Sequence, residues 1–144
     1  MQSKSLNNDH LCIDSDLAEL KKIRDFVRQK SDLLGIPLDL TYNIALAVDE
    51  ACSNLIKHAY KLEKNHKICI YIEKKDNKLI VTILDNGNPF NPLDVPLQDM
   101  SDYLMKLKQG GLGIHLMRSV IDKIEYIPRK TKHSHNTLRL IKDI

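Results

Sequence analysis

Between Asp16 and Gly35 the apolar positions Leu17, Leu20, Ile23, Val27 and Leu34 recur at helical intervals, with Asp16 and Glu19 at capping-box spacing and Gly35 as a C-terminal stop. The pattern predicts a packing helix with a charged outer face. A longer stripe runs through Leu40, Ile44, Val48, Ala51, Leu55 and Ala59, in steps of four, four, three, four and four. It predicts a helix that begins near Pro37, a residue tolerated in a first turn, and runs to about Tyr60. At about 3.6 residues per turn, Glu50 and Asn54 lie only about 40° apart on that helix, along one border of the stripe. Two polar groups therefore point together along the edge of a buried surface.

The rhythm then changes. HKICIYIEK and KLIVTILDN read as two strands joined at Asp76 and Asn77, whose tolerance of positive φ suits a tight turn, and Ile68, Ile70 and Ile72 share one face. An edge strand is expected earlier, around Leu11 to Ile13. Residues 88–109 break the pattern with three prolines and only a short helical stretch around Tyr103 to Leu107, as expected of a functional lid. GGLG at 110–113 opens a helix, IHLMRSVID, with Ile114, Met117 and Ile121 inward, and KIEYIP and NTLRLIKDI supply two closing strands. The order predicts an α+β fold: a two-layer sandwich whose mixed, mostly antiparallel sheet is covered on one face by about three helices.

Composition changes this picture little. At 144 residues, 42% apolar and 28% charged, the chain is expected to fold as one domain, 1–144, with a lid at about 88–109. MQSKSLNNDH has no apolar signal-like core, and no apolar run approaches the roughly 20 residues of a membrane span, so a cytoplasmic protein with no membrane partner is expected. Cys12, Cys52 and Cys69 are odd in number and widely spaced, which suggests neither a disulfide framework nor a zinc site. The net charge of +3 is small, and the basic run PRKTKHSH lacks interleaved aromatics, so it reads as a solvated hairpin loop and direct nucleic-acid binding is not expected.

Candidate chemistry lies in segments that are weak singly. DNGNPF, 85–90, puts an acid at the end of a buried strand before a turn built on Asn86 and Gly87. The glycines of GGLG leave backbone N–H groups free at a helix start, where the dipole favours an anion. A magnesium ion on a triphosphate requires oxygen ligands, and an attacking hydroxyl requires a base. Asn54 offers the first and Glu50 the second.

In order, ALAVDEACSNLIKHAY, DNGNPFNPLDVP, GGLGIHLMRSVID and NTLRLIK resemble the N, G1, G2 and terminal-strand motifs of the GHKL ATPases, the superfamily of gyrase, the Hsp-ninety chaperones and the histidine kinases. Within it the chain looks most like the small bacterial anti-sigma-factor serine kinases, whose helix motif reads E-A-x-x-N-A-x-x-H-A-Y. The resemblance covers about residue 14 to the end. It implies that Asn54 binds magnesium, that Glu50 is the general base, and that Asp85 receives the exocyclic amine of adenine while Gly87 lets the base approach the backbone. It implies further that Gly111, Leu112 and Gly113 wrap the phosphates and that Thr137 supports the adenine contact through water. His58 takes an orienting or packing role, and Arg118 reads as an ordinary solvated arginine. Three departures are Ser53 and Leu55 within the helix motif and KHSHNT, which lacks the usual glycine before the last strand.

The implied activity is transfer of the ATP γ-phosphate to a serine of an anti-anti-sigma antagonist, with a sigma factor as competing partner, homodimerisation and a role in regulating transcription. The alternative is a nucleotide-gated switch or weak ATPase that binds its partner without phosphorylating it. A histidine-kinase core is disfavoured because no room remains for a dimerisation segment with a phosphoacceptor histidine.

Overall fold

A computed structural model describes residues 10–94 and 113–144. Strand β1 (His10–Asp14) leads through a 3-10 turn (Leu17–Glu19) into α1 (Leu20–Leu33), and α2 (Leu38–Asn54) continues as a π-helical turn (Leu55–Ala59). Then come β2 (Lys67–Lys75), β3 (Lys78–Asp85), a second 3-10 turn (Pro92–Asp94), α3 (Gly113–Val120), β4 (Lys123–Ile127) and β5 (Asn136–Asp143). The N-terminal nine residues, most of the expected lid and its helical stretch at Tyr103 to Leu107 lie outside the described residues.

Local chemistry explains the helix ends. Asp16 is extended, and its carboxylate accepts the Ala18 N–H at 3.0 Å, so it caps the 3-10 turn and the α-helix starts only at Leu20. Leu17 falls outside the buried stripe and stays 41% exposed, whereas Leu20, Ile23 and Val27 are buried as expected. Gly35 stops the helix at φ 74°, where Gly35 and Ile36 donate to the carbonyls of Asp32 and Ser31 at 3.1 and 3.0 Å. Pro37 stands just outside α2 rather than in its first turn, with ψ 147°. At the far end of α2 the Tyr60 N–H reaches back five residues to Leu55 at 2.9 Å, and this π-turn brings Ala59 and Tyr60 both inward.

The sheet order is β1-β2-β3-β5-β4, and every ladder among the described residues is antiparallel, in keeping with the expected mostly antiparallel sheet. The crossover through α3 does return β4 in the direction of β3, but β5 lies between them, so the two never pair. Ile13, Ile68, Ile70, Ile72, Leu79, Val81, Ile83, Leu138 and Leu140 form the inner face, packed beneath the helices. Asp76 takes φ 56° at the β2–β3 turn, as its residue type allows. No helix among the described residues is long and apolar enough to cross a membrane.

The cysteine expectation is corrected. Cys12 of β1 and Cys69 of β2 are direct partners in the ladder, with Cα atoms 4.0 Å apart, and they are joined by a disulfide. A separation of 57 residues is closed by strand pairing, which residue spacing does not reveal. Cys52 remains a buried free thiol in α2, and burial pushes its ionisation far above the ordinary range.

Candidate nucleotide site

The end of β3 carries Asp85, only 3% exposed, opposite Asn136 at the start of β5. One carboxylate oxygen, Oδ2, accepts the Gly87 N–H at 2.9 Å and an Asn136 Nδ2–H at 3.2 Å. Asn136 also donates to the Gly87 carbonyl at 2.9 Å and accepts the Arg129 N–H at 2.8 Å, so its amide ties the turn to both strands. Burial pushes the Asp85 carboxyl up, while the bonds from Gly87 and Asn136 and the charges of Arg129 and His135 hold it down.

Below the turn, the buried Tyr60 hydroxyl donates to the Lys67 carbonyl at 2.9 Å and accepts the Asn86 N–H at 2.7 Å. A Cβ added at Gly87 meets Ala59 Cβ and Tyr60 Cε1 at 3.1 Å and Asp85 Oδ2 at 3.2 Å. The glycine is thus required by close approach of the turn to the helix end. Gly87→Ala is expected to lower stability by about 1–3 kcal/mol, because neither the ring nor the helix can recede freely; a urea melt at the wild-type midpoint would contradict this.

Ala51, Asn54, Asp85, Phe90, Tyr126 and Leu138 line the crevice between α2 and the sheet. Asn54 and Asp85, 31 positions apart in sequence, are thereby brought to one cleft. Asn54 Nδ2 is buried without a hydrogen-bond partner among the described residues. One turn earlier Glu50 is half-buried; burial raises its carboxyl pKa, Asp49 raises it further and Lys57 partly opposes both. Asp49 is engaged by Arg24 at 2.8 Å.

The first residues after the turn are held in place. Phe90 stacks on His58 with centroids 5.3 Å apart, which is the packing role expected of that histidine, and its N–H is bound by the Tyr126 hydroxyl at 3.0 Å. Arg118 does not stand free in solvent: its Nη2 donates to the Pro92 and Leu93 carbonyls at 3.2 and 2.6 Å. Gly113 opens α3, whereas Gly111 and Leu112 lie outside the described residues. PRKTKHSH forms the expected hairpin loop, closed around Thr131 and Ser134.

The structure does not bring Thr137 to this cleft. Strand alternation pairs it with Leu84 and Ile127 on the helix-free face, and Asn136 occupies the place beside Asp85. Asn136, Leu138 and Leu140 share the buried face, so the period of two in NTLRL contained the signal. Tyr60, Phe90 and Tyr126 had no comparable signal, because their contacts span distant segments.

The family model described as histidine kinase-like ATPase domain matches residues 13–142. The chain belongs to this family. The expectation drawn from its ordered motifs is thereby borne out. Among relatives, the serine-protein kinase RsbW of Bacillus subtilis is 32% identical over 114 residues, covering 76% of this chain and 68% of that protein. RsbW of Bacillus velezensis is 30% identical over 97 residues, covering 64% of this chain and 60% of the relative. In fold the chain is similar to the crystal structure of the RsbU and RsbW domains of a Mycobacterium tuberculosis protein, with a TM-score of 0.61 at 13% identity, over 93% of this chain and 31% of that one. It is also similar to the histidine kinase domain of a blue-light activated histidine kinase from Erythrobacter litoralis, with a TM-score of 0.55 at 14% identity, over 88% of this chain and 60% of that one. At these identities the solved structures speak for the fold alone.

Proposed function

We propose that the protein is an ATP-dependent serine kinase of the anti-sigma-factor type, which transfers the γ-phosphate to a serine of an anti-anti-sigma antagonist and thereby regulates transcription. A sigma factor is the competing partner, a homodimer is the working assembly and the cytoplasm the working compartment. The observation that carries this reading is the placement of Asn54 on the same cleft as an Asp85 carboxylate whose Oδ2 is already engaged.

With Oδ2 occupied by two donors, Asp85 Oδ1 is left to accept an amine, which suits adenine and opposes a carbonyl at the same place. Gly87 keeps the turn low beneath the base. Magnesium would neutralise charge on the phosphates when bound, and the side-chain carbonyl oxygen of Asn54 would be one of its oxygen ligands. Gly111, Leu112 and Gly113, in the GGLG segment whose last glycine opens α3, would offer backbone N–H groups to the phosphates. Glu50, on the Asn54 side of α2, takes the proton of the incoming serine hydroxyl as the Oγ–P bond forms and the bond to ADP breaks. Asn136, rather than Thr137, steadies Asp85.

The test is transfer of γ-labelled phosphate from ATP to candidate antagonist proteins. Label on a partner serine is the expected result. Label released only as inorganic phosphate points to a weak ATPase, and nucleotide binding without turnover points to a nucleotide-gated switch; either result removes the kinase reading.

A further inference from the structure

Strand β1 is five residues long and, among the described residues, stands at the sheet edge with β2 as its one ladder partner. Such an edge frays readily unless something holds it. Here the holding group is the Cys12–Cys69 disulfide on the helix-free face, with Cys12 exposed and Cys69 partly exposed. Immediately after β1, Ser15 is fully buried and grips the segment between α2 and β2. Its N–H donates to the His66 carbonyl at 2.9 Å, its hydroxyl donates to the Glu63 carbonyl and accepts the His66 N–H at 3.2 Å, and Asp14 pairs with Lys67 at 2.6 Å.

That gripped segment carries the support of the candidate site. The His66 ring stacks on Tyr60 with centroids 4.4 Å apart and planes 5° from parallel, and the Tyr60 hydroxyl spans the Lys67 carbonyl and the Asn86 N–H. A continuous set of contacts therefore runs from the disulfide, through Ser15 and the 60–67 segment, to the Asn86–Gly87 turn.

We propose that Cys12 and Cys69 form a thiol–disulfide exchange site whose state sets the firmness of the Asn86–Gly87 turn and hence the affinity for nucleotide. The effect on nucleotide rests on the ATP reading above; the effect on the turn does not. The oxidant is a low-molecular-weight disulfide of the glutathione class. The accessible Cys12 thiolate attacks one of its sulfurs and expels one thiolate, and the Cys69 thiolate then attacks the mixed disulfide at Cys12 and expels the second. Two protein thiols are oxidised, one small disulfide is reduced to two thiols, and the two protons leave with them. Excess small thiol reverses both steps. The buried Cys52 stands apart from this chemistry.

The test uses the full chain after equilibration with oxidised glutathione or with excess dithiothreitol. Alkylation after denaturation is expected to label all three cysteines of the reduced protein and only Cys52 of the oxidised one; labelling of all three in both states overturns the proposal. On reduction, amide exchange at Ser15, His66 and Asn86 is expected to quicken by about tenfold or more. The Kd for ATP is expected to weaken about fivefold, as the competent turn becomes a minor population. The variant Cys12→Ser should behave as the reduced protein in either buffer, and Cys69→Val, which suits a strand, is the second variant. Asn86 exchange that is indifferent to redox state overturns the brace, whatever ATP does. Redox-sensitive exchange with no ATP binding in either state overturns the ATP reading and leaves the exchange site standing. Redox-sensitive exchange with equal ATP affinity in both states removes the link to nucleotide and overturns the proposal as stated.

Discussion

Asp85→Asn sharply weakens nucleotide binding while the chain still folds: ATP affinity is expected to fall about 10- to 100-fold, since a hydrogen bond to a charged group contributes about 1.5–3 kcal/mol and each 1.4 kcal/mol is tenfold. The substitution preserves shape. If the new amide keeps its oxygen toward the Gly87 N–H and Asn136, which donate at 2.9 and 3.2 Å, its NH2 group faces the cleft. Adenine then presents an amine to a donor. The same amide accommodates a carbonyl, so the variant should lose ATP far more than inosine triphosphate, a contrast that general damage to the fold does not produce. Titration calorimetry with both nucleotides reads this directly, and unchanged ATP affinity removes Asp85 from the base pocket. Acid offers a second handle. Burial raises the Asp85 pKa above its ordinary 3.8, so affinity in the wild type should weaken, as pH falls, before an exposed aspartate would protonate. The asparagine variant should lack that dependence.

Glu50→Gln should bind ATP as the wild type does yet lose about 10²–10⁴-fold in phosphate transfer, the range attributed to a positioned general base. The acid limb of the wild-type rate should lie above the ordinary glutamate value of 4.5, because burial first and Asp49 second raise this carboxyl. The sign for stability runs the other way. A carboxyl whose folded pKa is raised contributes stability that is present below its unfolded value and lost as pH rises through the folded one. At neutral pH the ionised Glu50 is therefore a cost to the fold, and the glutamine variant should melt at a higher temperature than the wild type. Transfer at the wild-type rate would exclude Glu50 as the base. A lower melting temperature would show that the carboxylate is held by groups beyond Lys57.

Much of this fold was legible in periodicity. The 3.6-residue stripe of α2 and the period of two through Ile68, Ile70 and Ile72 depend on contacts each element makes with a single neighbouring layer, so the one-dimensional pattern survives folding. The pairing of Glu50 and Asn54 was visible for the same reason, as they share one turn of one helix. Thr137 shows where residue type misleads: a hydroxyl suited to the expected role stands one position from the residue that faces Asp85, and on a strand one position reverses the face.

The elements, their order, the inward faces and the motif order that marks the family follow from the amino-acid sequence alone, because each is written in local spacing. The Cys12–Cys69 disulfide, the Tyr60 bridge beneath Asn86, the clamp of Arg118 on Pro92 and Leu93, and the bond of Asn136 to Asp85 emerge from the packing of distant segments. Each of these joins residues between 25 and 57 positions apart. Such contacts form only once strand register and helix packing are set; strand alternation turns Asn136 inward, but local spacing does not name the partner it meets.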